Sequence, residues 1–152
     1  LITGCAGFIG FHVAMKLIKK KYKIIGIDNI NNYYDQNLKI TRLKILNEAS
    51  KNKKNFKFIK LDICNEKRLK NLFSKYKFKT VLHFAAQAGI RFSLKKPEQY
   101  IQSNLVGFFN VLNLCKSHKV SHLVYASSSS VYGANKKIPF SDILEIEKYF
   151  EN

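Results

Sequence analysis

Four serines in a row, Ser127 to Ser130, precede a tyrosine and a lysine spaced four apart, Tyr132 and Lys136, in the stretch YASSSSVYGANKK. A serine hydroxyl at a strand end can hydrogen-bond a reacting oxygen, and serine is also a common turn residue that caps such ends. A tyrosine and a lysine at that spacing meet on one face only if a helix carries both. Gly133 and Asn135 lie inside the segment and no apolar periodicity runs through it. It therefore reads as a loop, in which spacing alone does not bring Tyr132 to Lys136.

A second stretch has the chemistry of anion binding. Thr3-Gly4-Cys5-Ala6-Gly7-Phe8-Ile9-Gly10 joins a short apolar run to a helical pattern. A backbone that turns tightly, approaches a diphosphate and then packs a helix close to a sheet favours residues without side chains. The helix N-terminus adds free N–H groups and the positive end of its dipole. Three glycines in an ordinary turn would have the same spelling. Asp28 ends the next apolar run, 18 residues after Gly10. A carboxylate there accepts both hydroxyls of an adenosine ribose and repels a 2′-phosphate, which favours NAD over NADP. Asp62 and Ile63, at the end of the third run, are placed either to touch an adenine or to cap the following helix.

The elements that must position these residues alternate. Strand-like runs cover Leu1 to Thr3, Tyr22 to Asp28, Phe56 to Asp62, Thr80 to Phe84 and Leu123 to Ser127. Between them lie helical patterns: Phe8 to Lys21 with Ile9, Val13 and Leu17; Asp35 to Ala49 with Leu38, Leu43, Ile45 and Leu46; and Glu66 to Tyr76. A long helix opens at Pro97, with Ile101, Leu105, Phe108, Val111 and Leu112 on its apolar side. An acidic, helix-compatible tail follows Ser141. This alternation predicts an α/β fold of Rossmann type, a doubly wound parallel sheet of about five strands with helices on both faces. Ligands in such sheets bind at the carboxyl ends of the strands, where every residue singled out above falls.

The 152 residues suffice for one domain with a hydrophobic core, and the 46% hydrophobic content argues against disorder. The net charge of +17 invites a nucleic-acid reading, but only Arg42, Arg68 and Arg91 among the 27 basic residues are arginine. The rest are lysines spread over solvated helix faces, so no nucleic-acid partner is expected. Cys5, Cys64 and Cys115 are widely spaced, and His12, His83, His118 and His122 lack metal-ligand spacing. Reduced thiols in a cytoplasmic protein without a metal site are the expectation. No apolar run is long enough for a bilayer. The chain starts at Leu1, so the native N-terminus, and with it any leader, is expected to lie upstream.

Taken in order, TGCAGFIG (3–10), DN (28–29), LDI (61–63), HFAAQAG (83–89), SNLVGFFNVL (103–112) and YASSSSVYG (125–133) resemble the extended short-chain dehydrogenase/reductase family of nucleotide-sugar enzymes. Within that family, NNYYDQNLKITRL (31–43) and AAQAGIRFSLKKPEQYI (85–101) are most similar to UDP-glucuronate 4-epimerases. UDP-galactose 4-epimerases share much of the frame. The resemblance implies that Gly4, Gly7, Phe8, Ile9 and Gly10 surround a pyrophosphate. It places Asp28, Asn29 and Asn32 at the adenosine ribose, and Asp62 with Ile63 at the adenine. Phe84, Ala85, Ala86 and Gln87 would line the cofactor, although a core role serves Phe84 and the alanines as well. Ser103 or Asn104 would help hold it. Arg91 is either a partner for a sugar carboxylate or phosphate, or a surface arginine.

The chemistry so implied removes the proton of the sugar 4-hydroxyl, passes the C4 hydride to NAD and returns it to the other face of a transient 4-keto UDP-sugar. Ser128, flanked by Ser127 and Ser129, would hydrogen-bond the reacting oxygen. Family members that act as 4,6-dehydratases carry Thr-Asp-Glu in this register, where this chain has Ser128-Ser129-Ser130. Without those carboxyl groups, elimination of water is disfavoured. In the family the basic Tyr-x-x-x-Lys follows a loop matched here by Pro139-Phe140-Ser141. The 152 residues are thus expected to be an NAD-binding domain truncated at both ends, lacking that tyrosine–lysine pair and the substrate-binding part. Such a piece would be inactive alone, and homodimeric when full length.

Overall fold

In the computed structural model, which describes residues 1–52 and 54–133, strands and helices alternate as the periodicities predict. The order is β1 (Ile2–Thr3), α1 (Phe8–Lys19), β2 (Ile24–Asp28), α2 (Gln36–Ser50), β3 (Phe56–Lys60), α3 (Glu66–Tyr76) and β4 (Thr80–His83). There follow a short α4 (Ile90–Ser93), then α5 (Pro97–Tyr100), a π-helical stretch over Ile101–Gly107, α6 (Phe108–Ser117) and β5 (His122–Tyr125). All five strands are parallel, in the order β3-β2-β1-β4-β5. This is a Rossmann-type sheet. β1 lies between β2 and β4, with Thr3 level with both Ile27 and His83. The winding reverses there, so three strands end together at one crevice.

Each face of the sheet has its own core. Ile2, Ile18, Ile24, Leu43, Leu46 and Phe56 pack beneath α1 and α2, while Leu69, Phe73, Val81, Val111 and Leu114 fill the α3 and α6 side. In α1 the buried positions are Gly10, Ala14 and Ile18, one residue on from the expected Ile9, Val13 and Leu17. Ile9 is exposed. At Gly10 the helix lies so close to the loop below it that no side chain fits. In α2, Leu43 and Leu46 are buried as expected, but Leu38 and Ile45 are exposed. Lys39 and Ser50 occupy the remaining inner positions.

The long helix from Pro97 departs from the expectation in the same way. Val111 is fully buried, whereas Ile101, Leu105 and Leu112 face outward at 52%, 65% and 46% exposure. The π-helical stretch changes the helical phase between the two parts, so one apolar pattern serves two faces. It also brings Gly107 against Ile63, where a Cβ would stand 2.6 Å from Ile63 Cδ1. Asn110 Nδ2 then donates to Ile63 O at 3.0 Å, tying the helix to the segment after β3. β5 stops at Tyr125, before the serines. Ser129–Tyr132 forms a 3₁₀ turn that Gly133 ends at φ +56°. Lys136, the Pro139-Phe140-Ser141 match and the acidic tail lie outside the described residues.

Candidate functional site

The glycine loop owes its shape to backbone crowding. Gly4 has φ +66°, and a Cβ on it would stand 2.7 Å from Ala85 N and 2.8 Å from the Phe84 carbonyl carbon. A Cβ on Gly10 would stand 2.1 Å from Gly4 O. Gly7 N donates to Gly4 O at 3.0 Å, and α1 then starts from Gly7 with no side chain capping it. Its first-turn N–H groups are left for an anion. Arg42 holds the loop from outside, donating from Nη1 to Ala6 O at 3.1 Å with its guanidinium about equally far from the Phe8 and Phe11 rings. Cys5, buried in the loop, packs against the sheet. Burial first, and the Asp28 charge second, push its thiol well above the ordinary range, so it stays protonated.

Asp28 ends β2 beside this loop and is almost fully buried. Its carboxylate accepts from Ala6 N at 3.2 Å and from Ile30 N at 2.9 Å, and Lys39 Nζ stands 3.7 Å away. Lys39 is itself buried and donates to Asn31 Oδ1 at 2.7 Å. Ile30 follows with φ +53°, a strained conformation for a β-branched residue. Its N–H on Asp28 and its carbonyl, which accepts from Gln36 Nε2 at 2.8 Å, keep it there. Asn29 Nδ2 donates to Asp62 Oδ2 at 2.8 Å, and Cys64 N to Asp62 Oδ1 at 2.8 Å. Burial raises the Asp62 pKa, but these bonds outweigh it and hold the carboxyl below its usual range. The cap of α3 falls to Asn65, which accepts from Arg68 N, so Asp62 faces the crevice without that duty.

On the far side, the Thr3 hydroxyl accepts from Phe84 N at 3.1 Å and Ala85 N at 3.0 Å, and contacts His83 Nδ1 at 2.8 Å. Asn104 brackets Gln87, accepting from its N–H at 2.8 Å and donating to its carbonyl at 2.9 Å. The space between these groups is a cavity of about 340 Å³. It is lined by Gly4, Gly7, Phe8, Ile9, Gly10, Asp28, Asn29, Asp62, Ile63, Phe84, Ala85, Ala86, Gln87 and Ser103. Asn32 lines an adjoining cavity with Asn29, Asp62 and Gln87. The residues present fit a dinucleotide: an uncapped helix N-terminus, a buried carboxylate at the next strand end and a glycine-tight wall share one cleft.

Other expected residues are not gathered there. Arg91 is exposed on α4, and Ser127, Ser128 and Ser129 are exposed beyond β5. None of the four lines either cavity. Ser128 caps the 3₁₀ turn, its Oγ accepting from Ser130 N at 3.2 Å. Conversely, Asn31, Tyr33, Tyr34 and Lys39 line the cleft and escaped the sequence reading. Lys39 left one sign: a lysine in register with Leu43 and Leu46 on the inner stripe of α2. Among the described residues, no group of acidic, histidine or cysteine side chains could hold a metal, and no helix is long and apolar enough to cross a membrane.

Comparison with known proteins gives these features a family. Residues 1–148 match the family described as GDP-mannose 4,6 dehydratase. The chain is 49% identical over 141 residues to Protein CapI of Staphylococcus aureus, covering 93% of this chain and 41% of the relative. It is 44% identical over 147 residues to the UDP-glucuronate 4-epimerase of Thermodesulfobacterium geofontis, covering 97% and 44%. A crystal structure of UDP-glucose 4-epimerase from Stenotrophomonas maltophila, with bound NAD and formylated UDP-arabinopyranose, superposes with a TM-score of 0.79 at 27% identity. That match covers 93% of this chain and 40% of the other. The chain thus spans less than half the length of these relatives. With its glycine loop, strand order and nearly full-length match in agreement, it belongs to the nucleotide-sugar branch of the short-chain dehydrogenase/reductases, the family described as GDP-mannose 4,6 dehydratase.

Proposed function

We propose that the full-length protein is an NAD-dependent 4-epimerase of nucleotide sugars that converts UDP-glucuronate to UDP-galacturonate. The observation that carries this reading is the cleft in which the uncapped start of α1 and the buried Asp28 carboxylate share one lining. The similarity to UDP-glucuronate 4-epimerases supports the sugar. Bound NAD would supply the acceptor and donor of a hydride at the sugar's C4.

The chain's own residues would bind and orient. Gly4, Gly7 and Gly10, with Phe8 and Ile9, hold the pyrophosphate. Asp28, Asn29 and Asn32 take the ribose, its neighbour Lys39 steadying the carboxylate, and Asp62 with Ile63 takes the adenine. Phe84 to Gln87 form the wall, kept in place by Asn104 and Ser103. Ser128, with Ser127 and Ser129 beside it, hydrogen-bonds the reacting oxygen, and Arg91 pairs with the sugar carboxylate. Asp28 repels a 2′-phosphate, so NAD binds in preference to NADP. Although the matching family is named for a dehydratase, Ser128-Ser129-Ser130 offer no carboxyl acid or base for elimination. Three free cysteines fit a cytoplasmic setting. Exposed Ile101, Leu105, Phe109 and Leu112 fit a homodimer.

Residues 1–152 form the cofactor-binding domain and are inactive alone, the Tyr-x-x-x-Lys base lying in the part beyond. The test compares the full-length protein with residues 1–152 on UDP-glucuronate, following UDP-galacturonate by chromatography. Conversion by the longer protein alone is expected. Conversion by residues 1–152 would overturn the division of labour and return Tyr132 to consideration. Turnover of UDP-galactose instead would reassign the sugar, and NAD binding without any turnover would favour a non-catalytic NAD-binding protein. Asp28→Asn should weaken NAD binding by roughly 10- to 100-fold, the range for losing a charged hydrogen bond, and narrow the preference over NADP.

A further inference from the structure

The hydrogen bonds around Thr3 fix the protonation of a buried histidine. A hydroxyl has two lone pairs and one hydrogen. Thr3 Oγ1 receives two N–H groups, from Phe84 and Ala85, so its hydrogen must point at its third neighbour, His83 Nδ1. Nδ1 is therefore the bare nitrogen and the ring proton sits on Nε2. The backbone ladder between β1 and β4 runs out here. Phe84 N reaches Thr3 O at 3.2 Å and shares its hydrogen with Oγ1, while Ala85 N turns to Oγ1. At that point Gly4 and Ala85 press together across the cleft wall, with no room for a Cβ between them.

We propose that His83 is a positioning residue for the cofactor cleft: its bare Nδ1 orients the Thr3 hydroxyl, which then clamps the Phe84–Ala85 wall against the glycine loop. The inference rests on the reading of that cleft as a dinucleotide site. His83 lies at the end of β4, 6% exposed, its ring 5.3 Å from Phe108 and level with Tyr125 on β5. A second proton on the ring would sit on Nδ1 and displace one of the two amides from Oγ1. Burial works in the same direction, holding the His83 pKa down at about 4. The clamp is thus set in its neutral form throughout the physiological range.

The experiment uses the full-length protein, labelled with ¹⁵N. In the absence of ligand, the imidazole shifts of His83 should report an unprotonated Nδ1 and a protonated Nε2, and the amides of Phe84 and Ala85 should exchange slowly. His83→Phe keeps a ring against Phe108 but offers no acceptor. Its amides at 84 and 85 should lose protection, and NAD should bind roughly tenfold more weakly, as for one lost buried hydrogen bond. His83→Asn places an acceptor where Nδ1 stood and should restore both protection and affinity to within about threefold, well short of that loss. A purely structural role would lower the melting temperature of both variants without separating their affinities. A proton on Nδ1 in the wild type, or a His83→Phe protein with wild-type exchange and affinity, would overturn the proposal. Should His83→Phe fail to fold, the wild-type tautomer and exchange rates decide. Should the wild type not bind NAD at all, the dinucleotide reading falls, while the shifts and exchange rates still judge the clamp.

Discussion

His83 shows at the scale of a single side chain how burial becomes a pH response. Its folded pKa of about 4 lies below the ordinary value of 6.5, so between these limits the unfolded chain binds a proton that the folded chain refuses. The contribution of neutral His83 to stability is therefore complete above pH 6.5 and declines as the pH falls, the loss reaching about 3 kcal/mol near pH 4. Urea titrations of the full-length protein at pH 7 and pH 4 should show this decline. The His83→Asn protein, lacking the titrating group, should show a decline smaller by about that amount. Equal acid sensitivity in both would remove His83 as its source. Some residues of the cleft could be read directly from sequence. Asp28 stands at the end of an apolar run, and Asp62 ends the next one. Lys39 was hidden among 24 lysines, since nothing in its own identity distinguishes a buried cation from a solvated one. Thr3 was legible as part of a loop motif, but not as a hydroxyl serving two amides and an imidazole.

At the level of elements, the glycine loop makes a graded prediction. A Cβ at position 10 would lie 2.1 Å from a backbone carbonyl oxygen, whereas one at position 7 would lie 3.1 Å from the same atom. Backbone cannot swing aside as a side chain can. Gly10→Ala should therefore cost about 1–3 kcal/mol in chemical denaturation, the range for overpacking, with Gly7→Ala costing clearly less. The reverse order would mean that the loop relaxes where it is drawn tightest. Periodicity announced every helix that positions this loop, but not which stripe turns inward. In α1 the inward turn of Gly10 is set by closeness to the Gly4–Cys5 backbone, a property of two segments together. The long helix conceals more. Its π-helical stretch shifts the register in mid-course, and a change of phase has no signature in a list of apolar residues.

For the whole molecule, alternation of strands and helices was enough to give a parallel sheet with helices on both faces. The strand order β3-β2-β1-β4-β5 adds the reversal at β1 where the cleft opens. What the sequence could not supply is how much of the surface is meant to stay bare. Val124 and Tyr125 on β5 are exposed, and β5 is an edge among the described residues. Ile101, Leu105 and Phe109 face outward at successive steps of four. If that exposed face joins two copies, replacing Phe109 and Leu112 together by glutamate should convert a full-length dimer to a monomer in sedimentation, leaving NAD affinity within about twofold, since neither lines the cleft and surface changes away from a site rarely disturb it. A protein that stays dimeric would assign the stripe elsewhere.

The central position of β1 carries a last consequence, one of timing. β1 is flanked on one side by β4, whose residues emerge some eighty positions later. β1 can meet β2 early. The wall against which Gly4 must press arrives only with Phe84 and Ala85. Long-range pairing of this kind is slow to form because the intervening loop must be closed before any contact rewards it. The glycine loop after β1 is thus among the last parts of the sheet to take its final shape, since β4 is made well after it, and until then its backbone is open to misassembly.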